Sequence, residues 1–230
     1  MERKQNLLIL LFTVAALVSF AGFFNSYLRL LSNANMFPLV IHIHFIAFVF
    51  WFALLIVQPV LIRRKSYSLH KRLGRSSYFL APVLVMTILV LISQKFQREL
   101  PVSEKNASIT LLVGLLDVVS FSICYIIAIL NKRNVRWHVA FMIGATLIIL
   151  NPGMSRLLNQ IQAGLGLPIS VILPFIIPTS IMIIEKIKYK RPVRKSPFLL
   201  FLVLWSIEII LFITLPDTSF WKYFVAIAKS

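Results

Sequence analysis

The chain has 230 residues, of which 59% are apolar and only 13% are charged, and its mean hydropathy is +0.89. A soluble domain of this length carries roughly 25% charged residues, so the composition excludes an ordinary globular protein of the cytosol. A single Cys excludes a disulfide scaffold and a cysteine-rich metal module, which leaves a polytopic membrane protein as the predicted class.

Crossing about 30 Å of hydrocarbon takes about 20 mostly apolar helical residues. Seven stretches nearly free of Asp, Glu, Lys and Arg meet this requirement: Gln5–Leu28, Pro38–Ile62, Ser76–Gln94, Ser108–Asn131, Trp137–Ser155, Pro168–Ile184 and Pro197–Pro216. Strands would leave unpaired edges in lipid, so all seven are expected to be helices. Three prolines predict a distorted or broken sixth span. The intervening segments are too short for a soluble domain, so we predict one all-α membrane domain over residues 1–230.

The basic residues are distributed unevenly between the two ends of such a bundle. Seventeen of the 24 Lys and Arg fall in the N-terminus and in residues 63–75, 132–136 and 186–195, which seven spans place on one side. The positive-inside rule assigns this side to the cytoplasm and the C-terminus to the outside. Such loops meet anionic lipid headgroups, so we expect the bilayer, and not a nucleic acid, as their partner. The predicted location is the cell membrane, with the bacterial inner membrane as the expected host.

Histidines lie in or beside three of the spans. His44 shares a helical stripe with Gln58, fourteen residues later, so we expect both to face inward. His70 and His138 enter spans three and five from the same side at matching depth, which makes them a candidate axial pair for a haem iron. The alternative is that these histidines only complement the headgroup region or bond to a neighbour.

Ionisable groups at membrane depth are costly, which makes them candidates for function. Asp117 in span four, Asn151 and Arg156 late in span five, and Glu208 in span seven all reach the outer half of the bundle. We expect them to face one outward-opening cavity together with His44, with Arg156 paired to one of the two carboxylates. The alternative is that such pairs only fix helix register. The spacing indicates no confident metal site.

Three segments carry a family resemblance. They are His44 with Gln58, then Leu69-His70-Lys71-Arg72-Leu73-Gly74-Arg75, then Arg136-Trp137-His138 and the residues up to Arg156. Over residues 38–156 this layout resembles an uncharacterised bacterial family of polytopic membrane proteins, which has no established activity to carry over. It is remotely similar to the four-helix cytochromes of the b type, which hold haem between His pairs. Span four contains no His, so this similarity implies at most one b-type haem, with His70 and His138 as ligands and His44 as a further candidate.

These observations lead to three hypotheses for function, and none of them establishes an enzyme. The first is a haem-binding redox protein of the membrane. The second is a carrier of a small molecule, ion or proton that uses Arg156 as an anion partner and Asp117 or Glu208 as a proton site. The third is a structural or assembly subunit of a membrane complex, in which the polar groups only lock the helices together.

Overall fold

The computed structural model describes the backbone of residues 2–229 and the side chains of residues 5–33 and 35–229. In this range the chain forms nine α-helices and no strand. The helices are α1 (Glu2–Phe24), α2 (Leu39–Arg63), α3 (Tyr67–Arg75), α4 (Ser77–Glu99), α5 (Glu104–Leu130), α6 (Val135–Ile161), α7 (Gly166–Tyr189), α8 (Pro197–Thr214) and α9 (Ser219–Lys229). Short 3-10 segments at 28–36, 193–195 and 215–217 lie between them.

Seven helical segments are long and apolar enough to cross a membrane, namely α1, α2, α4 with α3 in front of it, α5, α6, α7 and α8. The predicted all-α fold with seven spans is therefore confirmed, and the chain has the make-up of a multi-pass membrane protein. Most helices extend past the predicted limits, as α6 does by continuing to Ile161. Long polar side chains at a helix end can reach the interface, so the backbone keeps its helical hydrogen bonds beyond the apolar stretch.

The sixth span is one continuous helix, so the expectation of a broken helix there is wrong. Pro174 has no N–H and leaves the carbonyl of Ser170 without its helical donor. With its amide nitrogen turned toward α7, the Asn151 side chain on α6 donates to this carbonyl at 3.3 Å. Neighbouring helices commonly supply such replacement bonds in membrane proteins, which helps α7 to continue past Pro174.

Helix α6 is the centre of the bundle. It packs against α1, α5, α7 and α8. Of the residues in its apolar stretch, 61% are buried, against 22–39% in the other six spans. The closest approach is between α1 and α6, where a side chain on Gly22 would lie 1.8 Å from the carbonyl oxygen of Gly153. Only glycine permits two helix backbones to meet at this distance.

The alternating direction of the spans gives the bundle two ends. The basic end comprises the N-terminus, residues 63–76 with α3, residues 131–134 and residues 190–196. The opposite end, here called the cavity end, comprises residues 25–38, 100–103, 162–165 and 215–229. Each end therefore has its own set of polar side chains, and the two sets are described separately below.

The tail after Asp217 forms a helix that the sequence did not predict. One face of α9 buries Trp221 and Val225 against α4 and α5. The indole N–H of Trp221 donates to Ser108 Oγ at 2.8 Å, and Lys229 forms an ion pair with Glu104. The other face leaves aromatic side chains exposed, as an amphipathic helix does at the surface of a bilayer.

Candidate functional site

A cavity of about 280 Å³ lies between α4, α5, α6, α7 and α8. Its polar lining includes Lys95, Asp117, Asn151, Ser155, Arg156 and Glu208. Its apolar lining includes Val113, Leu116, Val171, Trp205, Ile209 and Phe212. Lys95 and Arg156 are exposed and lie near the C-terminal ends of α4 and α6, so the cavity opens toward the cavity end. The structure thus brings together four of the residues that the sequence singled out.

The two carboxyl groups of the cavity face each other. Asp117 on α5 and Glu208 on α8 lie within hydrogen-bonding range, and the Ser120 hydroxyl is also in range of Glu208. The Glu208 side chain is buried, with only 7% of the residue exposed, and its Oε2 receives no hydrogen bond from any described donor. Asp117 lies near the middle of α5, roughly 20 Å along the axis from Glu104. The carboxyl pair is therefore deep in the bundle.

Arg156 does not form the ion pair that the sequence predicted. No described ion pair joins it to Asp117 or Glu208, because the carboxyl groups face each other and the guanidinium stacks instead on the ring of Phe23, 4.4 Å from its centroid. Among the described groups, none accepts a hydrogen bond from Arg156. The guanidinium is thus held against the Phe23 ring, and its N–H groups remain available to bind a ligand.

A second, more open groove of about 400 Å³ adjoins the cavity at the same end. Asn25 and Ser26, after α1, form one side, and Asn159 and Gln160 of α6 form the other. Asn25 Nδ2 donates to Gln160 Oε1 at 3.0 Å, which closes part of the wall. Arg156 lines both spaces, so it stands between the groove and the deeper cavity.

Several lining residues escaped the sequence reasoning. Lys95 directly follows the predicted third span and was not singled out from the sequence, although it lies beside the cavity and pairs with Glu99 at 3.5 Å. Trp205 lines the wall and donates from Nε1 to Val171 O at 3.0 Å, which joins α8 to α7. Asn151, predicted as a cavity residue, also has the structural role at Ser170 described above.

His44 lies outside the cavity that the sequence assigned to it. Its Nδ1 is 2.8 Å from Thr87 Oγ1 on α4, and the Thr87 hydroxyl donates to Val83 O at 2.7 Å. Because that hydroxyl proton is already used, Nδ1 of His44 is the donor. His42, two residues earlier, has another partner, since its Nδ1 lies 2.7 Å from Tyr27 Oη. Burial raises the pKa of Tyr27, so its phenol stays protonated.

The basic end brings His70 and His138 together with Gln58. The two imidazoles are close enough to interact electrostatically. His138 Nδ1 donates to Ala128 O at 2.9 Å, which leaves Nε2 with its lone pair. The Gln58 amide contacts Nδ1 of His70, and with its nitrogen turned toward this ring it donates to Nδ1 and to the backbone carbonyl of His70 while its oxygen accepts from Gly74 N at 3.1 Å. Neither of the two cavities reaches these residues.

This arrangement can be tested against a haem site. His138 fits as a ligand, since its Nδ1 bond orients the ring as in many metal sites. His70 fits as a ligand when the Gln58 oxygen accepts from Nδ1, whereas the other setting of this amide, in which its nitrogen donates to Nδ1, puts the proton on Nε2 and blocks coordination. Among the described residues, no three His, Cys, Asp or Glu side chains form a group that could hold a metal ion.

Comparisons with protein-family models, with curated proteins and with solved structures return no match to this chain. The functional argument therefore depends on the two polar clusters alone. The cluster at the cavity end has open hydrogen-bonding capacity beside an accessible space, whereas the cluster at the basic end has protein partners at the Nδ1 atom of each imidazole.

Proposed function

We propose that this protein is a membrane carrier that moves a proton together with a small solute through the cavity between α4 and α8. The observation that carries the proposal is the contact between the Asp117 and Glu208 carboxyl groups, with Oε2 of Glu208 lacking a donor. Two ionised carboxylates within hydrogen-bonding range repel each other. A proton held between them replaces the repulsion by a charge-assisted hydrogen bond. A pair of this kind holds one proton or two, which suits a site that takes up and releases protons.

The depth of the pair supports the same proposal. Carboxyl groups inside membrane spans are rare and mark ion pathways and proton relays in pumps and transporters. Asp117 and Glu208 belong to different helices, so their contact depends on how α5 and α8 are placed. A carrier needs such a dependence, because the proton must be bound in one arrangement of the helices and released in another.

Infrared difference spectroscopy of the purified protein tests the shared proton directly. We expect a carbonyl stretching band from a protonated carboxyl at neutral pH, lost or shifted in Asp117→Asn and in Glu208→Gln. Glu185→Gln serves as the matched control, because Glu185 bonds to Arg136 and Arg191 and has no need of a proton. A band that is unchanged in both cavity variants would remove the carboxyl pair from the proposal.

Transport is tested in vesicles that enclose a pH-sensitive dye. A mixture of small organic acids, amines and amino acids is added outside, and proton entry is recorded against empty vesicles. Wild-type protein should add a proton flux that the double variant Asp117→Asn, Glu208→Gln lacks. Equal fluxes for the two proteins would contradict the proposed function.

We also propose that the basic end lies in the cytoplasm of a bacterial cell, against anionic headgroups of the inner membrane. The excess of Lys and Arg at this end supports the orientation. A Cys124→Ser background permits single labels at Lys132→Cys and at Asp217→Cys. A maleimide that cannot cross the membrane should label only the second variant in intact cells, and the reverse pattern would overturn the orientation.

A second candidate function is b-type haem binding, and the proximity of His70 to His138 favours it. His70 and His138 would hold the iron, and the haem would supply one-electron chemistry. The test is an absorption spectrum of protein purified from a haem-replete host, oxidised and then reduced with dithionite. A Soret band that disappears in His70→Ala and His138→Ala would establish the haem, whereas a blank spectrum would exclude this function.

A further inference from the structure

We infer that the solute is a small monovalent organic anion with an apolar body, by chemistry a monocarboxylate, and that each anion binds together with one proton. The inference rests on the proposed function, since it uses the same cavity and the same carboxyl pair. It adds the substrate class and the number of protons per solute.

Arg156 supplies the recognition of the anion. Its guanidinium lines the cavity, forms no hydrogen bond or ion pair with any described group, and stacks on Phe23 at 4.4 Å. A planar guanidinium presents two parallel N–H donors, which match the two oxygens of a carboxylate. The contact with the Phe23 ring restricts the guanidinium without using those donors. Arg156 thus keeps its donors for a planar anion.

The N-terminus of α7 adds to this preference at the same side of the cavity. Gly166, the first residue of α7, packs so closely on α6 that an added side chain would lie 2.5 Å from Ser155 O. The first turn of α7, with its partial positive charge, therefore lies beside the polar lining near Ser155, while the Gly166 N–H itself donates to Asn159 Oδ1 at 2.9 Å. Lys95 also lies at this mouth, but its charge is offset by Glu99 at 3.5 Å.

The opposite part of the lining is suited to an apolar body. Leu116, Val171, Trp205, Ile209 and Phe212 contribute side chains to it. A volume of 280 Å³ corresponds to about nine water molecules at about 30 Å³ each, which is room for a solute of about ten non-hydrogen atoms. A phosphate or another fully polar anion would leave this apolar wall against water. The wall therefore favours an anion that is apolar at one end.

The charges that face the carboxyl pair determine how many protons accompany the anion. From α4 comes Lys95 with its partner Glu99, from α6 comes Arg156, and from α5 comes the uncharged thiol of Cys124, which lies near Glu208. None of the cavity residues of α7 is ionisable.

With one shared proton, the carboxyl pair carries a single negative charge that offsets Arg156. A bound monovalent anion adds one negative charge in a poorly solvated space, where an unbalanced charge is costly. A second proton on the pair restores neutrality. One anion and one proton thus enter the site together, and no net charge is moved.

Calorimetry of the purified protein with benzoate tests both parts of the inference. Benzoate has nine non-hydrogen atoms, is planar and is ionised at neutral pH, whereas benzamide has the same shape and no charge. Titrations in buffers of different ionisation enthalpy report the number of protons taken up on binding. We expect benzoate to bind with uptake of about one proton, and benzamide to bind at least tenfold more weakly with no proton uptake.

Variants separate anion binding by Arg156 from proton uptake by the carboxyl pair. Arg156→Gln should weaken benzoate binding at least tenfold, and Arg156→Lys should restore part of it, while thermal unfolding checks that both variants are folded. The double variant Asp117→Asn, Glu208→Gln should keep benzoate binding but abolish the proton uptake, because no carboxyl group remains to take the proton. Equal affinity for benzoate and benzamide, or unchanged binding in Arg156→Gln, would overturn the inference. If the carboxyl band and the proton flux persist without benzoate binding, the inference fails and the carrier proposal stands.

Discussion

Residues 151–156 of α6 have two faces that differ in how completely they are packed. On the face toward α1, Gly153 lies so close to Gly22 that no side chain fits between the two backbones. On the face toward α7 and α8, Asn151 and Ser155 line an open cavity. The same short stretch of helix is therefore fixed on one side and accessible on the other. A rigid support beside an open space is the arrangement that binding sites need.

The buried and half-buried carboxylates repeat this contrast. Glu185 at the basic end bonds to Arg136 at 2.5 Å and to Arg191 at 3.2 Å, so its acceptors are satisfied by the protein. Glu208 faces another carboxyl and has an oxygen with no donor. A buried carboxylate that is hydrogen-bonded to the protein contributes to stability, whereas one with an unsatisfied oxygen lowers it. The presence of an unsatisfied oxygen therefore needs an explanation, such as a proton or a ligand that binds there.

The largest expected effect on stability concerns the face of α6 that packs against α1. Gly22→Ala places a methyl group 1.8 Å from Gly153 O, so the two backbones must separate and the free energy of unfolding should fall by about 3 kcal/mol. Unfolding in mixed detergent micelles measures the change. Gly74→Ala is the control, since its new methyl group meets only the Gln58 side chain at 3.6 Å and should change stability by less than about 0.5 kcal/mol. Equal losses for the two variants would show that the α1–α6 contact is not close.

A pair of matched variants tests the two kinds of carboxylate. Glu185→Gln removes charge-assisted bonds to two arginines and should lower the free energy of unfolding by about 2 kcal/mol. Glu208→Gln keeps a group that can hydrogen-bond to Asp117 and should change the free energy of unfolding by less than about 1 kcal/mol. The comparison uses the same unfolding assay at one pH. If Glu208→Gln were the more damaging variant, Glu208 would be a structural residue and the contrast would be lost.

The smallest expected effect concerns the orientation of Arg156. Phe23→Leu keeps an apolar side chain on α1 but removes the aromatic face below the guanidinium. Cation–π contacts at accessible sites contribute about 0.5–1 kcal/mol, so benzoate binding should weaken about threefold while stability stays close to that of the wild type. Phe24→Leu, an exposed neighbour outside the stack, provides the control. Identical affinities for all three proteins would mean that the stack does not orient Arg156.

The spans and the positions of most cavity residues were predictable, because both follow from one-dimensional patterns. Apolar length identified all seven spans, and the depth of Asp117, Asn151, Arg156 and Glu208 along their helices placed them in the same half of the bundle. Their partners were not predictable. Sequence spacing gives the depth of a side chain but not its rotation about the bundle, so His44 was assigned to the cavity although it faces Thr87. The expected Arg156 pair failed for the same reason.

Two other features have causes that a single sequence does not display. The donor that replaces the missing N–H of Pro174 belongs to Asn151 of another helix, and only the packed structure brings it there. The docking of α9 depends on Trp221 meeting Ser108, more than a hundred positions earlier. Both are contacts between distant parts of the chain, whereas periodicity describes neighbours along it.

The close contact of Gly22 with Gly153 also limits how this protein can change shape. Carriers expose their sites to one side of the membrane at a time by moving one group of helices against another. A contact made of two backbones has no side chain that can rotate to open a gap, so α1 and α6 must travel as one body. By the same criterion Gly166 holds α7 to α6, so α8, which carries Glu208, is the helix left to move against α5, which carries Asp117. In the proposed carrier, a movement of α8 would pull the two carboxyl groups apart, so the position of α8 and the number of bound protons would depend on each other.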